Sequence, residues 1–376
     1  MNKKKINIFF TIIIMLILSA CSKNDMQSES NENFKESEIL LSNIKETTSE
    51  SKKNEEMSKS ISDDSITTNG GNKIQLSKLN YCTNDAKYPE VFFISSITKE
   101  SLVEIYEEME WTKTDNVGIK LSTGEPPASN YLDPNLIKDL VQKVNGTIVE
   151  CNTAYGGSRA STLAHYQVAK DHGFTQIANF KLLDENGSMT LPVVGGTKLK
   201  ENYVGSDFSN YNSYIILSHF KGHAMAGFGG AIKNISIGFG SGEKGKGHIH
   251  SGGKGGSMWS ADQDSFLEAM GDAGKSVSDY LNNGKNIVYI NVMNKLSVDC
   301  DCDGNPAAPD MHDIGILASK DPVALDQACI DLVYASSDSA SLQRRIESKN
   351  GIHTLENAQK IGLGNRNYQL KDLTKK

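Results

Sequence analysis

VGIKLSTGEPPASNYLDPNLIKDLVQKVNGTIVEC, residues 117–151, reads as strand, helix, strand, and it decides the fold class. Val117–Ser122 and Thr147–Cys151 are short, largely apolar runs of strand length. Between them lies a helix over Asp133–Val144. Asp133 stands at its N-cap, and Pro134 occupies the first helical position, where a missing N–H costs nothing. Strands that alternate with helices belong to a mainly parallel sheet with both faces covered.

The alternation continues outward. Upstream, Val91–Ile97 reads as a buried strand and Thr98–Glu110 has helical spacing. Downstream come a helix over Ser161–His172 closed by Gly173, and strands over Ser213–Ser218, Asn286–Val292 and Asp313–Ser319. The last strand feeds a helix over Asp321–Ala335, with Pro322 in its first turn. The expected fold is α/β, a mainly parallel or mixed sheet covered by helices on both faces in a single large domain, residues 81–376. Ligands of such sheets bind beyond the carboxyl ends of the strands.

Composition sets the outer bounds. The chain has 376 residues, 39 basic and 46 acidic, for a net charge of −7. That balance argues against a nucleic-acid partner, which wants a basic face. With 38% hydrophobic residues the chain is no polytopic membrane protein, and six cysteines are too few for a disulfide scaffold.

The N-terminus carries an address. Lys3, Lys4 and Lys5 precede the apolar run Ile6–Leu18, which is too short to span a bilayer and of signal-peptide length. It ends in Leu18-Ser19-Ala20-Cys21, which resembles the bacterial lipobox, so residues 1–20 are expected as a signal peptide and Cys21 as the lipidated residue. Acyl chains on Cys21 would hold the mature chain to the membrane, facing outside the cytoplasm. Removing the leader's three lysines leaves 36 basic against 46 acidic residues, a charge of −10. Residues 21–80 are expected as a Ser-rich disordered tether: from Ser22 to Ile66 there are 11 Ser, one aromatic, and neither Gly nor Pro.

Four segments follow predicted strands and carry the polar chemistry. Lys120 opens the first, ending at Glu125. In the second, Tyr155-Gly156-Gly157-Ser158-Arg159 makes a Gly-rich turn, with Ser158 as helix cap and Arg159 beside the helix amides as an anion pocket. A ligand-free turn has the same look. The third, SHFKGHAMAGFGGAIKN over residues 218–234, puts His219 and His223 four apart, with Lys221, Lys233 and the Gly229-Gly230 pair in one short loop. Glycine-rich backbone with two lysines can cradle a carboxylate or phosphate, and Lys221 and Lys233 are the catalytic candidates. The following run, Gly238–Gly256, has nine Gly in nineteen residues and is expected as a mobile flap bearing His248 and His250.

The fourth segment is Asp299-Cys300-Asp301-Cys302-Asp303-Gly304. Two thiols beside His219, His223, His248 and His250 favour a transition metal, zinc or iron, over magnesium or calcium. A Cys300–Cys302 disulfide is expected to be geometrically awkward, and an exposed acidic turn is the bland alternative. With Cys21 lipidated, five thiols remain outside the cell, an odd number.

Taken together, SHFKGHAMAGFGGAIKN, IKLSTGE, NTAYGGSR, CDC and DIGILASKDPVALDQACIDLV resemble the family called domain of unknown function 362, over roughly Val117 to Tyr334. Many of its members carry a ferredoxin-like module whose CxxCxxC runs bind [4Fe–4S] clusters. No such run exists here, so the resemblance implies no cluster and no particular reaction. Three functions stay open: a metal-binding domain with an enzymatic role, a non-catalytic lipoprotein clamping a small anion, and a redox-associated protein without its iron–sulfur module. Neither GxSxG nor HExxH is present, which leaves serine-hydrolase and zincin chemistry without support.

Overall fold

The computed structural model describes residues 64–375, and the order of its elements follows the alternation in the sequence. A hairpin of β1 (Ser65–Thr67) and β2 (Lys73–Gln75) comes first. Then follow β3 (Glu90–Ile94), α1 (Lys99–Glu108), β4 (Val117–Lys120), α2 (Pro134–Lys143), β5 (Thr147–Glu150), α3 (Thr162–Asp171) and β6 (Phe180–Leu182). A second hairpin, β7 (Ser188–Pro192) and β8 (Glu201–Gly205), leads to β9 (Ser213–His219), β10 (Lys221–His223) and β11 (Gly227–Gly229). Next are α4 (Ala231–Ser236), α5 (Gly245–His250), α6 (Gln263–Tyr280), β12 (Ile287–Met293) and β13 (Gly315–Ser319). The chain closes with α7 (Pro322–Ala335), α8 (Ala340–Ser348), α9 (His353–Lys360) and β14 (Gln369–Asp372).

Short polar side chains start the helices. Thr98, Asp133, Ser161, Asp262 and Asp321 each accept from a first-turn amide, and Pro134 and Pro322 sit just inside their helices.

Eight strands form one sheet in the order β14-β3-β13-β12-β9-β4-β5-β6. Every strand runs parallel except β13, which pairs antiparallel with both β12 and β3. Side-chain alternation divides the sheet's residues between two cores. Ile119, Ile148, Ile215, Leu217, Ile290 and Val292 face Leu102 and Ile105 of α1 and Ile137, Leu140 and Val141 of α2. Val149, Tyr214, Ile216, Tyr289 and Leu317 face the other way, into Ile232 and Ile235 of α4 and Val323, Leu325 and Cys329 of α7. Being buried on both sides, β9 and β12 read as continuous apolar runs.

Two expectations need correction here. The tether does not reach residue 80: Ile66 and Ile74 of the first hairpin, and Leu79 after it, pack into the main core. The turn at Thr68–Asn72 is also anchored, since the Asn69 and Gly70 amides donate to Ile314 and Asp313 carbonyls. The glycine run 238–256 is not a flap, because its middle winds into α5, with Ile249 fully buried against α6. Residues 1–20, Cys21 and the tether up to residue 63 lie outside the described residues. Among the described residues no helix is long and apolar enough to cross a membrane.

Candidate functional site

The carboxyl ends of β4, β5, β9 and β12 lie side by side, because all four strands point the same way. Past them opens a polar cavity of about 90 Å³. Lys120 enters it from the end of β4, and Tyr155 and Arg159 from the loop after β5. His219 and Lys221 reach it from β9 and β10, Lys233 from α4, Lys246 from α5, and Cys300, Asp301 and Cys302 from the loop after β12.

Arg159 is not free to hold a ligand. Its Nε donates to Glu125 Oε2 at 3.1 Å and its Nη1 to Glu150 Oε1 at 3.1 Å and Ser122 Oγ at 3.0 Å. The second Glu150 oxygen takes His165 Nε2 and the Thr123 hydroxyl. Burial pushes the Glu150 pKa up, but His165, Arg159 and Lys120 outweigh it and hold the carboxylate below its usual range. Gly157 makes the turn compact: its φ is +87°, and a Cβ there would stand 2.6 Å from a Glu125 oxygen. The expected cap is corrected as well. Ser161 caps α3, while the Ser158 amide donates to Glu125, so these residues build a buried ion-pair network in place of an anion cradle.

The stretch 219–223 is extended, not helical. Gly222 allows β10 to lie on the loop after β12, since its amide donates to Ser297 O and a Cβ would stand 2.3 Å from Val298 O. Chain 219–223 therefore runs beside Asp301 and Cys302. His219 Nδ1 meets Asp301 Oδ1 at 3.1 Å and its Nε2 meets Asn294 O at 2.6 Å. Both partners are protein oxygens, so each ring nitrogen is turned toward an acceptor of the fold. Lys221 Nζ donates to the other Asp301 oxygen. Burial raises the Asp301 pKa, yet Lys221 and His219 overcome it and keep the carboxylate ionised. Lys221 itself is lowered by burial, with Asp301 opposing.

His223, Cys300 and Cys302 offer ligand-type atoms that all lie within 4.8 Å of one another, a spacing that suits a metal. The cysteine sulfurs are bonded to each other, contrary to the expectation from their spacing; the turn brings their Cα atoms to 5.3 Å, inside the normal range for a disulfide. His223 Nδ1 accepts from the Met225 and Ala226 amides at 3.2 and 2.9 Å, which leaves the proton of the neutral ring on Nε2, 3.8 Å from Cys302 Sγ. Burial, then Lys233 and His250, lower the His223 pKa well below its ordinary value, so the ring is neutral. In this disulfide form the trio does not fit a metal; reduction of the sulfur pair is the first requirement, and loss of the Nε2 proton the second.

The other two candidate ligands stand apart from that trio. His248 packs edge-on to the Tyr203 ring at 5.0 Å, and His250 donates from Nδ1 to Lys246 O while stacking on Phe266. Helical winding of α5 puts them on different sides, where an extended chain would have placed them together. His312, in the same acidic stretch as the cysteines, pairs with Asp338 away from the cavity.

Three lysines remain. Lys120 Nζ donates to Leu121 O at 2.8 Å and Asn234 Oδ1 at 3.0 Å, and burial brings its pKa to about 8. Lys246 Nζ donates to Gly240 O. Lys233 Nζ has no hydrogen bond or ion pair among the described residues. Burial first, then the charges of Lys221, Lys120 and Arg159, lower its pKa to about 7. Gly229 and Gly230 line the cavity beside it, but the α4 amides of Ala231 and Ile232 are taken by Asp326, at 2.8 and 2.9 Å. Gly156 sits at φ +84° with open space around it and contributes the turn alone.

Sequence reasoning missed Glu150, Asp301, His165 and Lys246. A signal existed for the first: a glutamate that ends an otherwise apolar strand is placed at the sheet's ligand-binding edge. Asp301 was legible as a carboxylate between two cysteines, although its pairing with Lys221 and His219 depends on chain segments about 80 residues apart.

A family model described as domain of unknown function (DUF362) matches residues 117–331. Among solved structures, the lactate racemase apoprotein from Thermoanaerobacterium thermosaccharolyticum aligns with TM-score 0.39 and 13% identity, over 71% of this chain and 61% of that one. A structural-genomics protein from Thermotoga maritima aligns with TM-score 0.35 and 11% identity, over 67% and 58%. The chain thus spans about three fifths of the length of these two structures. No curated protein matches it in sequence.

Proposed function

The chain belongs to the domain of unknown function 362 family, and from that premise we propose that it is a membrane-anchored lipoprotein whose cavity binds and acts on a small organic anion. One observation carries the reading: five cationic side chains line a small cavity in which the lining carboxylates, Glu150 and Asp301, are already engaged. Burial, and after it the neighbouring cations, disfavours the charged forms of Lys120 and Lys233, and an entering anion would supply the counter-charge they lack. The volume admits roughly six to nine water-sized groups, the size of a short carboxylic or phosphorylated acid. Calorimetry of the full chain against succinate, inorganic phosphate and glycerol tests this. Binding of an acid but not of glycerol, weakened at least about tenfold in Lys120→Met (about 1.4 kcal/mol), is expected. A folded protein that binds no anion ends the reading. The anchoring part rests on Leu18-Ser19-Ala20-Cys21; Cys21→Ala should abolish lipid labelling and membrane retention.

A second reading is favoured by the His223, Cys300 and Cys302 spacing. In the reduced protein two thiolates and an imidazole would suit zinc or iron, as Lewis acid or as structural ion. Its test is stoichiometric metal in anaerobically reduced wild type and its loss in Cys302→Ser. Affinity should fall with falling pH as the thiolates protonate.

A further inference from the structure

Among the cations of the cavity, Lys233 differs in having nothing to hold. Arg159 is bonded to two glutamates, Lys221 to Asp301, Lys120 to a carbonyl and an amide, and Lys246 to a carbonyl. Lys233 stands in the first turn of α4, its stem against Gly229, where a Cβ would stand 3.3 Å from Lys233 Cδ. Asp326 caps that helix and fixes where the amine is carried.

We propose that Lys233 Nζ is a nucleophile that condenses with the carbonyl of a small oxo acid, the acid group being held by Lys120. The inference rests on the anion-binding reading and names its substrate class. Nζ attacks the carbonyl carbon, and the C–N bond forms as the C=O π pair takes a proton to give a carbinolamine. Its hydroxyl then leaves as water as the C=N bond closes, so both hydrogens of the neutral amine depart with the oxygen. The charges that face Lys233 favour that neutral form: Lys221 from β10, Lys120 from β4 and Arg159 from the loop after β5, against Asp301 alone of the opposite sign, while His223 from β10 and His250 from α5 are neutral rings. With its pKa near 7, Lys233 is about half free amine at neutral pH, where an ordinary lysine is free in roughly one molecule in a thousand or fewer.

The experiment is reductive trapping. The full chain is incubated with pyruvate as probe, reduced with sodium cyanoborohydride, and read by intact mass and peptide mapping. One carboxyethyl group per chain, on Lys233, is expected, with a trapping rate that rises through about pH 7 and then levels. Lys233→Arg should lose the adduct while remaining folded by circular dichroism. Adducts spread evenly over surface lysines, or none on Lys233, overturn the proposal. Succinate calorimetry on the same preparation separates the two failures: an acid that binds without any trapping sinks the nucleophile and leaves the pocket, whereas no binding at all removes the pocket reading too.

Discussion

Asp301 is the residue on which the cavity's charges balance. It is the ion-pair partner of both Lys221 and His219, and all three are nearly inaccessible to solvent. Replacing it by Asn leaves a buried ammonium without its counter-charge, which costs about 3–5 kcal/mol. Urea unfolding of Asp301→Asn should show that loss as a lower midpoint. Lys233 makes the opposite case, because its charged form is disfavoured in the fold. The unfolded chain binds that proton up to the ordinary lysine value, while the folded chain releases it near pH 7. Stability tied to Lys233 therefore rises with pH between those values. Lys233→Met should be more stable than wild type at about pH 6, and its advantage should fade as the pH approaches about 10, readable in melting temperatures across the series.

At the scale of an element, α4 matters most, since six residues present Lys233 and Asn234 to the cavity. So short a helix has little stability of its own. It is held by burial of Ala231, Ile232 and Ile235 and by Asp326 of α7, which accepts from its first two amides and from Asn291. Burial pushes the Asp326 pKa up to about 6, against those three donors. Asp326→Ala would strand buried amides at a cost of about 1–3 kcal/mol each. We expect a melting temperature lower by several degrees and, at temperatures where the protein is still folded, weaker succinate binding. Unchanged binding would mean that α4 holds its place without its cap.

The whole molecule begins earlier than its composition suggests. The hairpin Ser65–Gln75 is polar on its outer positions, SIT and KIQ, yet each strand buries one isoleucine. Limited proteolysis should leave a core that starts before Ser65. A chain truncated at residue 80 should melt well below one truncated at residue 63, because it loses Ile66, Ile74 and Leu79 from the main core. Equal stability of the two would show that the hairpin is dispensable.

Much of the fold was legible because its signals are local. A capping Asp or Ser, a proline in a first turn and an apolar run of five to seven residues act within one turn or one strand, so the α/β class and most element positions follow from nearest-neighbour chemistry. The 117–151 unit needs no distant residue to be read. What tertiary structure alone decided are the pairings of segments far apart in the chain. The reversal of β13 depends on which strand edges are left to fill, and the winding of the glycine run into α5 depends on burying Ile249. The same holds for the site. Residue types marked Arg159, Lys221, Lys233, His219 and the two cysteines from sequence, but a charge's role is set by its partners. Arg159 is spent on Glu125 and Glu150, His219 on Asp301 and Asn294, and the cysteines on each other. Lys233 alone among those side chains keeps an amine without a partner, because at close range electrostatics and hydrogen bonding depend on distances that spacing along a chain does not contain.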